Sequence, residues 1–308
     1  MNSTETSILK QENFRCGYVV IVGEPNVGKS TLMNTLLGQK ISIVTNKPQT
    51  TRHKLLGILS SESYQIIFLD TPGLLKPKYK LQSFMMDAAY SAINDADVVF
   101  MMVDAEEKVD KKNDYDITFD LIKKINKPTF LVINKVDLVK KFSLLPIIDF
   151  YSNKFPFVEI FPISALNGIG TDDLLKSVVD SLPLHPPYYP TDSVSDASER
   201  FFVSEIIREK IFEKYKQEIP YSTTVEIIEF KERKVKKDFI SAEIYVERQS
   251  QKGILIGKKG EALKAIGESA RADLEKFLGR SVFLDLHVKV REKWRDSEAW
   301  LNRLGYKS

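Results

Sequence analysis

The sequence predicts an α/β domain, a mostly parallel sheet with helices on both faces, followed by a smaller α+β domain. Three observations carry this. Up to about residue 182, short apolar runs alternate with stretches of helical period, the pattern of a parallel sheet under helices. The first run, Tyr18-Val19-Val20-Ile21-Val22, ends in Gly23-Glu24-Pro25-Asn26-Val27-Gly28-Lys29-Ser30, a G-x-x-x-x-G-K-S turn that opens a helix at Thr31. A Pro/Ser/Asp-rich stretch over 183–199 then separates this part from a segment that reads helix, strand, strand, helix, G-x-x-G, helix, strand. The expected organisation is a polar tail over 1–13, a first domain over 14–182, a linker over 183–199 and a second domain over 200–308.

With 308 residues and 43% hydrophobic content, the chain has room for two real cores. Its start is polar and lacks the apolar region of a secretory signal. No apolar run approaches the roughly 18 residues of a membrane span. Cys16 is the only cysteine, which excludes an internal disulfide and suits a reducing cytoplasm; with three histidines a zinc cluster is not expected. The net charge of +3 is unevenly spread, −3 before residue 200 and +6 from there on. The basic second part suggests an anionic partner, although a charge of that size also suits a merely soluble surface.

Each element of the first domain ends in chemistry. In the G-x-x-x-x-G-K-S loop, consecutive backbone N–H groups face a polyphosphate and the following helix dipole adds attraction. Lys29 is expected to reach the β- and γ-phosphates, and the Ser30 hydroxyl to bind magnesium. Strands are expected near 55–59 and 66–69, the second ending in Asp70-Thr71-Pro72-Gly73. A carboxylate there can hold magnesium through water, and Gly73 lets its backbone approach a γ-phosphate. A helix over 80–93, a strand over 98–103 and a helix over 110–124 follow. The strand over 129–133 ends in Asn134-Lys135-Val136-Asp137, at the carboxyl edge where open α/β sheets bind ligands. Asp137 can accept from guanine N1–H and its exocyclic amine, a pair adenine lacks. Asn134 would brace the loop and Lys135 lie along the base. A helix over 142–153 and a strand over 158–163 lead to Ser164-Ala165-Leu166, whose backbone N–H suits guanine O6. The helix over 171–182 takes Thr171 as its cap, with Asp172 and Asp173 in its first turn.

In the second domain, 200–217 reads as an amphipathic helix with Phe202, Ile206, Ile207, Ile211, Phe212 and Tyr215 on its apolar face. Strands over 224–230 and 239–246 flank a basic turn, 231–237, which can touch phosphates or simply be solvated. Ile254-Leu255-Ile256-Gly257-Lys258-Lys259-Gly260 leads into a long helix to about 277, and 282–290 closes the domain as a strand. The tail from Arg291 reads as a helix whose tryptophans, Trp294 and Trp300, pack on the domain.

The ordered set G-x-x-x-x-G-K-S, D-x-x-G, N-K-x-D and S-A resembles the translation-factor-related GTPases. The forms Gly23-Glu24-Pro25-Asn26-Val27-Gly28-Lys29-Ser30 and Pro48-Gln49-Thr50-Thr51-Arg52-His53 are similar to those of the Era-type branch. The second domain resembles a KH domain of the prokaryotic topology. The resemblance covers nearly the whole chain, so the expected fold class is an α/β P-loop GTPase domain followed by an α+β KH domain.

It implies GTP and GDP as ligands, with Lys29, Thr51 and Gly73 carrying catalysis and Ser30, Thr51 and Asp70 the magnesium. Thr51 is favoured over Thr50 as the switch threonine. Leu74 stands where many small GTPases place a water-orienting Gln, which implies slow intrinsic hydrolysis. In some relatives a potassium ion held partly by the phosphate-loop Asn assists; Asn26 occupies that position, where bracing its own loop is the alternative. In the KH fold Ile256, Gly257, Lys258, Lys259 and Gly260 clamp a single-stranded nucleic-acid backbone. The implied role is binding the 3′ end of small-subunit ribosomal RNA during small ribosomal subunit assembly, under nucleotide control. A cytoplasmic monomer is expected, and peripheral contact with the inner face of the cell membrane is a family property. The rival reading is a non-enzymatic protein-interaction switch in which GTP is a slowly hydrolysed structural ligand.

Overall fold

The computed structural model describes residues 13–107, 116–233 and 235–306. The tail over 1–12, the start of the helix expected over 110–124, Lys234 of the basic turn and the last two residues lie outside the described residues. The chain divides into two compact units. One comprises Met1–Ser42, Thr51–Lys76 and Met85–Asp196; the other comprises Ile43–Thr50, Pro77–Phe84 and Ala197–Ser308.

The first unit is built on a six-stranded sheet: β1 (Arg15–Gly23), β2 (Leu55–Ser60), β3 (Tyr64–Asp70), β4 (Val98–Asp104), β5 (Thr129–Asn134) and β6 (Ile160–Pro162), in the spatial order β2-β3-β1-β4-β5-β6. Only the β2–β3 pair is antiparallel, joined by a polar turn over residues 61–63. The helices are α1 (Lys29–Leu37), α2 (Lys80–Asp95), α3 (Asp116–Ile125), α4 (Leu144–Ser152) and α5 (Thr171–Ser181). Val19, Val20, Ile21 and Val22 are all fully buried, as continuous apolar runs in a two-sided sheet require. One face packs Val20, Val22, Met101, Leu131 and Ile133 against Ala92, Ile93, Phe119, Ile122 and Tyr151. The opposite face carries a row of rings, Phe68, Phe100, Phe130 and Phe161, with successive centroids 6.4, 5.9 and 6.2 Å apart.

Three details of this unit differ from the sequence expectation. The strand expected over 158–163 is regular only over Ile160–Pro162. It is the edge strand, and Pro162 can donate nothing to a ladder. Thr171 is not the cap of α5. Gly170 fills that position with φ 73°, and the Thr171 hydroxyl donates back to the Gly168 carbonyl at 2.9 Å. The helix expected from residue 142 begins at Leu144, after a single 3-10 turn over Lys141–Ser143.

The second unit contains α6 (Glu199–Lys214), a short turn of helix α7 (Ile219–Ser222), β7 (Thr224–Lys231), β8 (Asp238–Val246), α8 (Gln249–Ile256), α9 (Glu261–Leu278), β9 (Val282–Val290) and α10 (Glu298–Arg303). Its sheet has the order β7-β8-β9, antiparallel then parallel. The alternating residues Ile240, Ala242, Ile244 and Val246 are fully buried against Val203, Ile207 and Ile211 of α6, Leu255 of α8 and Ile266, Ala270 and Leu274 of α9. The tail is not one helix: left-handed Lys293 and extended Ser297 bracket a 3-10 turn before α10. Trp294 is buried, and its indole donates to the Ser222 carbonyl at 2.8 Å. No helix among the described residues is long and apolar enough to cross a membrane.

Candidate functional site

The parallel ladder places the carboxyl ends of β1, β3, β4, β5 and β6 side by side, since Ile21 pairs with Asp70, Gly23 with Met102, Asp104 with Asn134 and Ile133 with Pro162. The four motifs therefore converge on one edge of the sheet, on either side of β1, where the strand order reverses. That is the ligand position of open α/β folds.

The phosphate loop runs from Gly23 through Glu24, Pro25, Asn26 and Val27 to Gly28, after which Lys29 and Ser30 open α1 and Thr31 continues it. Lys29 is buried, and its ammonium donates to the carbonyls of Gly23 at 3.2 Å and Glu24 at 2.7 Å. The amine is thus folded over the loop that would hold phosphate oxygens. Burial pushes its pKa down to about 8, against the opposing pull of the Asp70 and Glu24 carboxylates. An anionic ligand at the loop would relieve that penalty.

The D-x-x-G turn lies directly beside this loop. A Cβ on Gly73 would come within 2.7 Å of the Pro25 nitrogen, so only glycine allows this approach. The Leu74 amide donates to the Gly23 carbonyl at 3.3 Å, and the Leu74 side chain is buried. Thr71 donates to the Ile21 carbonyl at 2.9 Å, which ties the start of the turn to β1 ahead of Pro72.

Asp70 is fully buried. Its Oδ2 accepts from Ser30 at 2.7 Å and Ser42 at 2.8 Å, and lies 3.5 Å from the Thr51 hydroxyl. The Ser30 and Thr51 hydroxyls are 2.9 Å apart. Asp70 Oδ1 is buried with no hydrogen-bond partner among the described residues. Burial pushes this carboxyl up, opposed by the hydroxyl donors and by Lys29. The Ser30 and Thr51 hydroxyls, beside a carboxylate with one orphaned oxygen, fit a magnesium ion, which prefers oxygen ligands and keeps several waters. The Thr50 hydroxyl is bonded to the Thr45 hydroxyl at 2.6 Å and the Lys47 carbonyl at 2.7 Å.

At the far side, buried Asn134 joins two loops. Its Nδ2 donates to the Val27 carbonyl at 2.8 Å, and its Oδ1 accepts from the Ala165 amide at 2.8 Å. Lys135 is in the left-handed region, φ 67°, and pairs with Asp104. Asp137 is exposed in the 3-10 turn that follows. The Ser164-Ala165-Leu166 loop is pinned by the Thr35 hydroxyl, which donates to the Ala165 carbonyl at 2.7 Å. Ser164 and Ala165 are buried and Leu166 is exposed. The site residues that motif reading missed are Thr35, Asn34, Ser42 and Asp104. None lies in a recognisable spacing; only contact in three dimensions identifies them.

In the second unit, Gly257-Lys258-Lys259-Gly260 makes the turn between α8 and α9. Gly257 has φ 72°, and a Cβ there would come within 2.5 Å of the Ala262 Cβ. Lys259 is itself left-handed, φ 51°. Both lysines are exposed, and Ile256 behind them is half-buried.

Residues 18–135 match the family described as 50S ribosome-binding GTPase, and residues 218–295 match the KH domain family. The chain is 48% identical over 298 residues to the chloroplastic GTPase ERA1 of Zea mays, covering 96% of this chain and 71% of that protein. It is 48% identical to the GTPase Era of Geobacter metallireducens, covering 95% of this chain and 98% of the relative. Similar solved structures include an Aquifex aeolicus Era variant bound to GDP·AlF4− and an Era in complex with MgGDPNP and nucleotides 1506–1542 of 16S ribosomal RNA. For each of these the TM-score is 0.92 at 43% identity, over 96% of this chain and 100% of the other.

Proposed function

Because this chain belongs to the Era family of GTPases, with a KH domain at its carboxyl side, we propose that its GTP cycle controls binding of the 3′ end of small-subunit ribosomal RNA during small-subunit assembly. The observation that carries the RNA reading is the exposed Lys258–Lys259 pair on a glycine-bounded turn at the start of an 18-residue helix. Such a turn suits a clamp on a single-stranded nucleic-acid backbone. The solved Era complex with a 16S ribosomal RNA segment supports this choice of partner.

For hydrolysis, water attacks the γ-phosphorus in line, forming a P–O bond as the β–γ bridge breaks, and GDP and phosphate leave. Lys29 and the amides of the phosphate loop hold charge on the phosphate oxygens. Ser30, Thr51 and, through water, Asp70 would hold magnesium, which when bound neutralises charge building on the β- and γ-phosphates. The backbone of Gly73 is close enough to the phosphate loop to follow the γ-phosphate. Leu74 cannot polarise the attacking water, and no side chain of this site is assigned as general base.

Asn26 sits in the phosphate loop with φ 68°. If it helps hold a potassium ion, GTP turnover should be several-fold faster in potassium than in sodium buffer at equal ionic strength. Equal rates would leave Asn26 with loop bracing alone.

The test of the main reading is titration of a short single-stranded RNA, copying a small-subunit 3′ end, against protein loaded with GDP or a non-hydrolysable GTP analogue. Salt is held fixed, because the phosphate contribution is strongly salt-dependent. Tighter binding with the analogue is the expected result. Replacing both Lys258 and Lys259 by Asp should weaken RNA binding by about tenfold or more, since two phosphate-facing charges are reversed. GTP affinity should be unchanged. RNA affinity that survived this change would move the interaction-switch reading ahead.

A further inference from the structure

We propose that Ser42, held in place by Asn34, is a positioning residue for the magnesium site: its hydroxyl fixes the orientation of the Asp70 carboxylate beside the Ser30 and Thr51 hydroxyls. The inference rests on the magnesium reading above.

Ser42 is 3% exposed, and its hydroxyl donates to Asp70 Oδ2 at 2.8 Å. Ser30 donates to the same oxygen at 2.7 Å. Two donors converging on Oδ2 fix the rotation of the carboxylate about its last bond, which otherwise has a broad, nearly two-fold profile. The fixed rotation leaves Oδ1 buried and without a partner among the described residues.

The hydroxyl of Ser42 is not needed to hold its own loop. Asn34 already does that with three bonds: its Oδ1 accepts from the Ile41 amide at 3.0 Å and the Ser42 amide at 2.9 Å, and its Nδ2 donates to the Ser42 carbonyl at 2.8 Å. Asn34 lies four residues after Ser30 on α1, hence on the same helix face. One face of α1 thus reaches Asp70 twice, directly through Ser30 and indirectly through Asn34 and Ser42. Partners that orient a metal site's carboxylate from outside typically change metal affinity by about 10–100-fold when removed.

The test is release of fluorescent mant-GDP from the full chain, measured from excess EDTA up through millimolar Mg2+. In the wild type, Mg2+ should slow release with a measurable half-effect concentration. Ser42→Ala should raise that concentration by about tenfold, while the rate in EDTA stays near the wild-type rate. Ser42→Thr keeps the hydroxyl and should restore the wild-type half-effect concentration. The proposal is overturned by an unchanged half-effect concentration in Ser42→Ala. It is equally overturned by an EDTA rate that rises as much as the rate in Mg2+, or by a Thr variant as weak as Ala, since both would assign the effect to packing. If Mg2+ does not slow release from the wild type, the magnesium reading itself fails, which is a separable result.

Discussion

Replacing Asp137 by Asn should convert a guanine-selective protein into one that prefers xanthine. A carboxylate is acceptor-only, which matches the two donors on the guanine edge, N1–H and the exocyclic amine. An amide presents one acceptor and one donor, which matches N1–H and the C2 carbonyl of xanthine. Against guanine, the Asn NH2 would face the exocyclic amine, donor to donor. Hydrogen bonds to a charged group contribute about 1.5–3 kcal/mol each, and an unmet buried donor costs a similar amount. GTP affinity should therefore fall by about 100-fold or more, and XTP affinity should rise enough to reverse the order. The placement supports this: left-handed Lys135, tied to Asp104, turns the chain so that Asp137 stands exposed just past the end of β5. Competition of GDP and XDP against mant-GDP reads the outcome. Undiminished guanine preference in the variant would remove Asp137 from base selection.

Truncating Asn134 to Ala should cost stability as well as nucleotide affinity. This side chain is 3% exposed and spends its donor on the Val27 carbonyl and its acceptor on the Ala165 amide. Alanine leaves two buried backbone groups without partners at once. At about 1–3 kcal/mol for each orphaned group, the expected loss is about 3 kcal/mol. For a unit of this size that lowers the midpoint of thermal unfolding by about 6–12 °C. The affinity effect has a different origin. The phosphate loop and the Ser164–Leu166 loop are held in mutual register through this one amide, so both ends of a bound nucleotide lose preorganisation. Calorimetry of the nucleotide-free protein and mant-GDP titration measure the two parts. A variant with both values unchanged would show that other contacts hold the loops.

The strand–helix alternation and the ordered motifs were legible because each depends on local composition: an apolar run, a glycine, a short signature at a strand end. Element order in the second unit was legible for the same reason, since Ile240, Ala242, Ile244 and Val246 alternate cleanly and are all fully buried. The missed residues belong to a different kind of information. Ser42 lies in an ordinary apolar stretch, and its bond to Asp70 spans 28 positions. Asn34 looks like a polar residue on a helix surface until its amide is seen to hold the chain at residues 41–42. Asp104 ends an apolar strand and becomes a partner of Lys135 only because β4 and β5 are neighbours. The shorter β6 and the glycine cap of α5 were misread for physical reasons visible afterwards, namely a proline on an edge strand and a left-handed glycine standing before a threonine. Spacing also does not separate Thr50 from Thr51, because adjacent residues have the same pattern. The two hydroxyls nevertheless face different groups, Thr45 and Lys47 for one and Ser30 for the other.

The sequence contains two tryptophans, and both belong to the second unit. One is sealed in the interior with its indole nitrogen bonded, and the other stands edge-on to Tyr245 between two arginines, Arg291 and Arg303. Light absorbed at the red edge of the protein band is therefore taken up by one unit alone, while the unit carrying the phosphate loop contributes only tyrosine and phenylalanine. The molecule contains its own unit-selective optical label. A change in indole emission when a nucleotide is added registers the response of the KH unit, with no dye attached and no residue altered.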